Sequence, residues 1–179
     1  FINFPIKNIF LSFGGGNDKG LIKKFLLNLR DYKSINFVIA STSNNKLNEN
    51  NLNWIKKNKF NNVDYYIDFL NLGELLRMSD LAIISGGVLS FELAYYGIPM
   101  IIVSLAENQV SQSKAWQAIG AAIYLGKETG LYPELIKSKF EKLIKDKNKL
   151  INMQKIGRNE VDSFGSKRII DSIIKIASK

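Results

Sequence analysis

Short apolar runs alternate with longer amphipathic segments along the chain, and this alternation restricts the possible folds most strongly. Segments with helical spacing separate the runs, and Leu21, Ile22, Phe25, Leu26 and Leu29 form the first such face. Strands that alternate with helices build parallel sheets with right-handed crossovers. We therefore predict an α/β fold with a Rossmann-like, doubly wound parallel sheet of about six strands. The runs with the length and composition of strands are residues 9–13, 36–40, 63–67, 81–84, 100–103 and 121–124.

The segments between these runs give further expectations. The run Leu81–Ile84 is entirely apolar, as expected for a strand that is buried on both faces of a parallel sheet. Residues 41–51 are polar and rich in asparagine, so we predict a loop there and a helix that begins near Leu52. From residue 131 onward the pattern is helical, with a break predicted near Gly157 and Gly165.

Length and composition limit the chemistry. The chain has 179 residues, which suits a single domain over residues 1–179. It has no cysteine and no histidine. These absences exclude disulfides, thiolate metal sites and cysteine nucleophiles, and they remove the commonest general base. We therefore assign no catalytic residue, no metal site and no cofactor to the chain. Because it does not begin with methionine, we expect a piece of a longer protein.

The net charge of +9 raises the possibility of nucleic-acid binding. The 25 basic residues comprise 21 lysines and only 4 arginines. Residues 60–110 hold a single basic residue, Arg77, against six acidic ones. Bases and phosphates are read mainly by the guanidinium fork. We therefore favour a lysine-rich solvated surface and expect no nucleic-acid partner. We also find no apolar run of membrane-spanning length and no signal peptide, so we expect a cytoplasmic protein without a membrane span.

Ligands of doubly wound sheets bind beyond the carboxyl ends of the strands, so the loops there are the candidate site. Gly14, Gly15, Gly16 and Asn17 follow the first strand. Glycines let the backbone approach a ligand closely, and the next helix presents free N–H groups to an anion. The segment has the spacing of neither a Walker loop nor a GxGxxG fingerprint. A tight strand-to-helix turn is the alternative interpretation.

Two later loops carry polar groups of different kinds. Ser85–Gly87 leads into a helix that holds Glu92, whose carboxylate can accept two hydrogen bonds from a ribose diol; stabilisation of the helix start is the alternative. Asn108 and Gln109 follow the fifth strand. Their amides can recognise sugar hydroxyl and N-acetyl groups, or they can simply cap a helix in a solvated turn.

These segments together resemble a known family. Gly14-Gly15, the stretch from Asp80 to Glu92, Tyr96-Gly97-Ile98-Pro99 and Glu107-Asn108-Gln109 are similar to the C-terminal half of the pseudaminic-acid UDP-sugar hydrolases and the spore-coat polysaccharide biosynthesis proteins. They resemble more distantly the C-terminal domain of the N-acetylglucosaminyl transferase that makes lipid II. The resemblance covers residues 6–175 and implies the C-terminal half of a GT-B architecture.

The resemblance implies a role for each matching residue. Glu92 would bind the ribose hydroxyls, and the helix start after Gly87 would face the diphosphate, with the first glycine loop on its other side. The backbone near Leu70 would border the uracil, and Asn108 and Gln109 would face the sugar or the distal phosphate. The complete set of expected ligand-binding residues is Gly14, Gly15, Gly16, Asn17, Leu70, Ser85, Gly86, Gly87, Val88, Leu89, Ser90, Glu92, Asn108 and Gln109.

The implied function is binding of a UDP-linked sugar in a hydrolase that releases UDP and a free 2,4-diacetamido-2,4,6-trideoxy sugar. In this family the catalytic histidine belongs to an N-terminal domain, which this chain lacks, so the implied partner is that missing domain. The first loop, with three glycines before Asn17 and Asp18, also has one more residue than the usual Gly-Gly-x-Asp pattern. The alternatives are the donor-binding half of a GT-B glycosyltransferase and a non-catalytic module fused to another sugar-pathway enzyme.

Overall fold

A computed structural model describes residues 4–178, and it forms one parallel sheet with helices on both faces. This confirms the predicted fold class. The strands are β1 (Asn8–Ser12), β2 (Asn36–Ser41), β3 (Val63–Ile67), β4 (Leu81–Ser85), β5 (Met100–Ser104) and β6 (Ala122–Lys127). The helices are α1 (Leu21–Asn28), α2 (Asn48–Lys57), α3 (Leu72–Arg77), α4 (Leu89–Tyr96), α5 (Val110–Ala118), α6 (Pro133–Lys145), α7 (Lys147–Glu160) and α8 (Gly165–Ala177). Short 3₁₀ turns cover Glu107–Gln109 and Glu128–Gly130.

The strand order is β3-β2-β1-β4-β5-β6, and every neighbouring pair is parallel. The chain therefore reverses its direction of growth between β1 and β4, which are hydrogen-bonded neighbours with Ser12 opposite Ile84. Such a switch point opens a crevice at the carboxyl ends of the two strands. The loops after β1 and β4, which hold both glycine segments, flank this crevice.

Alternation of side chains along the strands divides the core into two layers. Ile9, Leu11 and Ile83 pack on one face, in the layer that includes α1 and α6. Phe10 and Ile84 point to the other face, in the layer that includes α3, α4 and α5. The apolar run of β4 is thus buried from both sides, as predicted, and so is that of β1.

Two predicted boundaries were wrong. Helix α2 begins at Asn48 and not near Leu52, because Asn48 and Asn51 are buried in side-chain hydrogen bonds. The second error is the start of the predicted break. Gly157 lies inside α7, which continues to Glu160, and the break covers residues 161–164 before α8 begins at Gly165. A Cβ atom on Gly157 would come within 3.2 Å of Ala94 Cα. Gly157 therefore permits close packing of α7 on α4 instead of ending a helix.

The last helix, α8, has no buried residue. Ile169, Ile170, Ile173, Ile174 and Ile176 are each more than half exposed. No described helix combines the length and apolarity that crossing a membrane requires.

Candidate functional site

The two glycine loops meet at the switch point. Gly14, immediately after β1, adopts a φ of +88°, a conformation that favours glycine. A Cβ atom on Gly14 would lie 3.7 Å from Ser85 Oγ at the end of β4. Gly15 is fixed from the other side, since its carbonyl accepts a 2.5 Å hydrogen bond from Thr42 Oγ1. The first loop is therefore held between the ends of β4 and β2.

Both loops present unbonded amides. Within residues 4–178, the N–H groups of Gly14, Gly15 and Gly16 donate no hydrogen bond, and neither do those of Val88 and Leu89 at the start of α4. The three glycines are exposed to solvent. Unbonded amides at a helix start and in a glycine turn are a favourable arrangement for an anion. Asn17 belongs to the same exposed loop, where its Oδ1 accepts from the Lys19 amide at 2.7 Å.

The two glycines after β4 have different roles. A Cβ atom on Gly86 would lie 2.1 Å from Ser113 Oγ and 3.1 Å from the Gln109 carbonyl oxygen. Gly86 therefore lets α5 approach the loop. A Cβ atom on Gly87 would meet nothing within 4 Å, and the Gly87 amide donates to the Ser85 carbonyl at 2.8 Å.

Ser90 is completely buried and lies beneath the second loop. Its hydroxyl donates to the Gly87 carbonyl at 2.7 Å and accepts from Gln112 Nε2 at 2.8 Å and Trp116 Nε1 at 2.9 Å. Its amide also donates to the Gly87 carbonyl. These contacts use every hydrogen-bonding position of the hydroxyl. Ser90 thus holds the turn in place, and the ligand contact implied by the resemblance is indirect.

Glu92 is exposed on the first turn of α4 and lines a cleft of about 250 Å³. Leu89 lies on the same wall, and the glycines of the first loop form another. The resemblance implies that Glu92, Leu89, Gly14 and Gly15 bind the same ligand, and the structure brings all four to one cleft. The complete lining is Ser12, Gly14, Gly15, Ala40, Ser41, Thr42, Asp68, Phe69, Leu72, Leu89 and Glu92.

The far wall of the cleft comes from the loop after β3, and sequence reasoning missed its main residues. Asp68 adopts a φ of +52°, and its Oδ1 accepts from the Ser43 amide at 2.9 Å. The Phe69 ring packs edge-on against Tyr66, with the ring centroids 5.1 Å apart. Leu70, the residue expected at the uracil, is fully exposed next to them. An aspartate and an aromatic residue at the end of a strand were the available signal.

Asn108 and Gln109 lie outside the lining of this cleft. Both belong to the 3₁₀ turn after β5, where Asn108 is exposed. Gln109 Oε1 accepts from the Leu105 amide at 2.8 Å, and its carbonyl oxygen faces Gly86. Gln109 therefore borders the second glycine loop, while its side chain braces the turn after β5.

A buried polar network supports the first loop and was not predicted. Asp18 is 2% exposed, and its Oδ2 accepts from Asn45 Nδ2 at 2.9 Å and Asn51 Nδ2 at 2.8 Å. Its other oxygen accepts from the Gly20 amide at 2.6 Å. Tyr65 donates to Asn48 in the same network, and burial raises the pKa of its phenol above the ordinary value. The asparagine-rich segment thus anchors the glycine loop.

A lysine ties the first loop to the opposite half of the sheet. Lys19 Nζ donates to the Leu105 carbonyl at 2.8 Å and forms a 2.5 Å ion pair with Glu128. The Lys19 ammonium lowers the pKa of the Glu128 carboxyl below its ordinary value. The loops after β1, β5 and β6 are therefore joined by one side chain.

The arrangement offers amide donors for an anion and a carboxylate for a diol. Among the residues that the structure describes, no cluster of three or more histidine, cysteine, aspartate or glutamate side chains could hold a metal ion. The amides and the carboxylate can act on a ligand through hydrogen bonds and the dipole of α4.

Two curated relatives cover most of the chain. The spore coat polysaccharide biosynthesis protein SpsG of Bacillus subtilis is 26% identical over 167 residues, 91% of this chain and 48% of its own length. The Helicobacter pylori protein described as pseudaminic acid cytidylyltransferase and UDP-2,4-diacetamido-2,4,6-trideoxy-beta-L-altropyranose hydrolase is 28% identical over 149 residues, 82% of this chain and 25% of its own length. The chain spans about half the length of the first relative and a quarter of the second.

Solved structures share the fold over nearly the whole chain. MurG of Acinetobacter baumannii superposes with a TM-score of 0.76 at 20% identity, covering 97% of this chain and 51% of MurG. The UDP-GlcNAc 2-epimerase of Neisseria meningitidis, solved with UDP-GlcNAc bound, gives a TM-score of 0.70 at 21% identity over 97% of this chain and 45% of its own. At these identities the match establishes the fold of a GT-B half.

The model of the glycosyltransferase family 28 C-terminal domain matches residues 14–170. This range begins in the first glycine loop and includes the second loop and Glu92. The chain therefore belongs to the glycosyltransferase family 28 C-terminal domain family.

Proposed function

We propose that this domain binds a UDP-sugar in the cleft at the carboxyl ends of β1 and β4. One observation carries the proposal: two loops with unbonded amides meet there, and the exposed Glu92 carboxylate lines the same cleft. The amides of Gly14–Gly16 and of Val88 and Leu89 would bind the diphosphate from two sides. Glu92 would accept hydrogen bonds from both ribose hydroxyls.

The base would lie towards the loop after β3. Phe69 offers an apolar edge, and the backbone near Leu70 is free to contact the uracil. Asn108 and Gln109 lie beside the second loop on its β5 side, so the sugar would extend in that direction. This orientation agrees with the cleft lining, since Asp68 and Phe69 stand across the cleft from the start of α4.

For the reaction we propose hydrolysis of the UDP-sugar at the anomeric carbon. The name of the Helicobacter pylori relative includes such a hydrolase and supports this choice. Water adds to the anomeric carbon while the bond to the diphosphate oxygen breaks, so the products are UDP and the free sugar. This domain would stabilise the charge that develops on the diphosphate. The chain has no histidine, so the base that activates water would belong to another domain.

The second candidate is the donor-binding half of a glycosyltransferase. The family name and the fold shared with MurG favour it. In that reaction an acceptor hydroxyl replaces water, while the contacts with UDP are the same. The two candidates therefore share the nucleotide site and differ in what the other domain brings to it.

A second domain in the intact protein is part of the proposal. The chain accounts for 48% of SpsG, which leaves room for a domain of similar size in that relative. The apolar side of α8 has five largely exposed isoleucines, and an exposed apolar patch of this kind marks a contact surface for another protein segment. We infer that these isoleucines pack against the second domain.

Nucleotide titrations by calorimetry test the nucleotide site. We expect UDP to bind more tightly than UMP, because the second phosphate reaches the amides of both loops, and we expect CMP to bind negligibly. Equal affinities for UDP and UMP would contradict the diphosphate placement. Release of UDP from a UDP-sugar by the full-length protein, measured without an acceptor, then separates hydrolysis from transfer.

A further inference from the structure

A second pocket of about 360 Å³ lies at the other end of α4, near the amino ends of β4 and β5. Helix α4 has eight residues and is therefore about 12 Å long, so this pocket is separate from the nucleotide cleft. Its lining residues are Leu76, Arg77, Ser79, Tyr96, Gly97, Ile98, Gln154 and Arg158. Two of the four arginines of the chain thus share one pocket.

Both guanidinium groups are positioned around Tyr96. Arg77 Nη1 donates to the Tyr96 hydroxyl at 3.4 Å, and its guanidinium carbon lies 5.9 Å from the ring centroid. Arg158 donates to the Tyr96 carbonyl from Nε at 3.4 Å and from Nη2 at 3.2 Å. Tyr96 therefore contacts Arg77 through its side-chain hydroxyl and Arg158 through its backbone carbonyl.

The backbone leaves room for both groups. A Cβ atom on Gly97 would lie 2.4 Å from Arg158 Nε. A Cβ atom on Gly73 would lie 2.9 Å from the Tyr96 hydroxyl and 3.6 Å from Arg77 Nη1. A side chain at position 97 would therefore displace Arg158, and one at position 73 would displace the Tyr96 hydroxyl that Arg77 contacts.

Neither arginine of the pocket forms an ion pair within the described part of the chain. Among residues 4–178, no carboxylate lies within 4 Å of Arg77 or Arg158, whereas Arg168 pairs with Asp162 at 2.7 Å. A guanidinium has five N–H donors, of which Arg77 uses one and Arg158 two. The Gln154 carboxamide, which forms no hydrogen bond within the described chain, adds donors to the same pocket.

Helix capping accounts for only part of this arrangement. Arg158 satisfies a carbonyl at the C-terminus of α4, a common place for a basic side chain. Capping does not require Arg77, which donates to a side-chain hydroxyl, nor does it explain the shared pocket. Two forked guanidinium groups with free donors are the arrangement that binds the oxygens of a phosphate.

We propose that this pocket binds a phosphate-monoester dianion, held by Arg77 and Arg158. The site is independent of the UDP-sugar cleft and lies at the opposite end of the helix that carries Glu92. The ligand would be either free phosphate or the phosphoryl group of a small metabolite. Its oxygens would accept from the unused N–H groups of both arginines, and its second charge would be balanced by the second guanidinium.

The side-chain Nε–H resonances of the four arginines provide a site-specific test. Each resonance is assigned from its own arginine-to-glutamine variant, and the protein is titrated with inorganic phosphate and with glycerol 3-phosphate. We expect the Arg77 and Arg158 resonances to shift together with one saturating curve, while Arg30 and Arg168 stay unchanged. Tighter binding of glycerol 3-phosphate than of phosphate would identify the organic monoester as the preferred source.

Variants make the test decisive. Arg77→Gln is expected to weaken binding at least tenfold, and Arg77→Lys to restore part of it, while Arg30→Gln has no effect. Arg77 is used because Arg158→Gln also removes a helix cap and can change the fold. Shifts of all four arginine resonances that do not saturate would indicate an adventitious ion only and would overturn the proposal. Unchanged phosphate affinity in Arg77→Gln would overturn it as well. Because the two sites are separate, the phosphate-induced shifts of Arg77 and Arg158 must persist when UDP is added.

Discussion

Asn51 on α2 donates a 2.8 Å hydrogen bond to the buried carboxylate of Asp18 in the first glycine loop. Both side chains are almost completely shielded from solvent, at 0% and 2% exposure. The bond joins a helix that follows β2 to the loop that follows β1. The loop shape that presents the amides of Gly14–Gly16 thus depends on a residue more than thirty positions away.

Replacing Asp18 by alanine removes the shared acceptor of Asn45, Asn51 and the Gly20 amide. Hydrogen bonds to charged groups contribute about 1.5–3 kcal/mol each, and buried donors left unpaired add a cost. We expect Asp18→Ala to lower the free energy of unfolding in urea by about 3 kcal/mol, whereas exposed Asp31→Ala changes it little. Equal stabilities of the two variants would show that the network does not hold the loop.

The two glycines after β4 form a matched pair. Gly86→Ala places a Cβ atom 2.1 Å from Ser113 Oγ, whereas Gly87→Ala meets nothing within 4 Å. Overpacking costs about 1–3 kcal/mol, and each 1 kcal/mol lowers the melting temperature of a domain of this size by about 2–4 °C. We therefore expect a lower melting temperature for Gly86→Ala alone. A drop of equal size in Gly87→Ala would refute this assignment of roles.

The amide of Val88 can be removed without bending the helix. Val88 has a φ of −55° before the first residue of α4 and donates no hydrogen bond within the described chain. Proline fits that φ and is favoured at helix starts. We expect Val88→Pro to retain the melting temperature of Val88→Ala but to bind UDP several-fold more weakly, measured by calorimetry. Equal UDP affinities would mean that this amide does not contact the diphosphate.

The Lys19–Glu128 ion pair predicts a pH dependence. Lys19 lowers the pKa of Glu128 in the folded state. The ion pair therefore stabilises the fold fully above the ordinary glutamate pKa of about 4.5, and this stabilisation is lost as the pH falls through the lowered pKa. Glu128→Gln should therefore lower the melting temperature more at pH 7 than at pH 3. Lys19 is about half exposed, so the effect is small. A difference of the same size at both pH values would contradict the prediction.

The sequence pattern was sufficient for the sheet and for the position of the glycine loops. Apolar runs mark strands such as β4 because a central parallel strand is buried on both faces. The pattern could not reveal the Asp18 network, since Asn45, Asn48 and Asn51 have the composition of a solvated loop. They are buried because they bond to distant residues, Asn45 and Asn51 to Asp18 and Asn48 to Tyr65. Gly157 was read as a helix break because its contact with Ala94 is a tertiary one.

Contacts between distant residues also limited the prediction of the candidate site. Glu92 and the glycine loops were identified from their places after the strands, and the structure brings them to one cleft. The family motif alone could not show that Ser90 is buried beneath the loop, because this depends on Gln112 and Trp116 of α5. Asp68 and Phe69 follow a strand in the sequence, but that they line the same cleft as Glu92 becomes visible only in the fold.

The central claim is that Glu92 holds the ribose of UDP, and the most direct measurement is calorimetric titration of UDP into the wild-type chain and two variants. Glu92→Gln removes a charged acceptor, whereas Glu134→Gln changes an exposed glutamate in the first turn of α6. Since hydrogen bonds to charged groups contribute about 1.5–3 kcal/mol, we expect Glu92→Gln to weaken UDP binding by about tenfold or more. We expect Glu134→Gln to match the wild type. UDP affinity that is unchanged in Glu92→Gln would contradict the account.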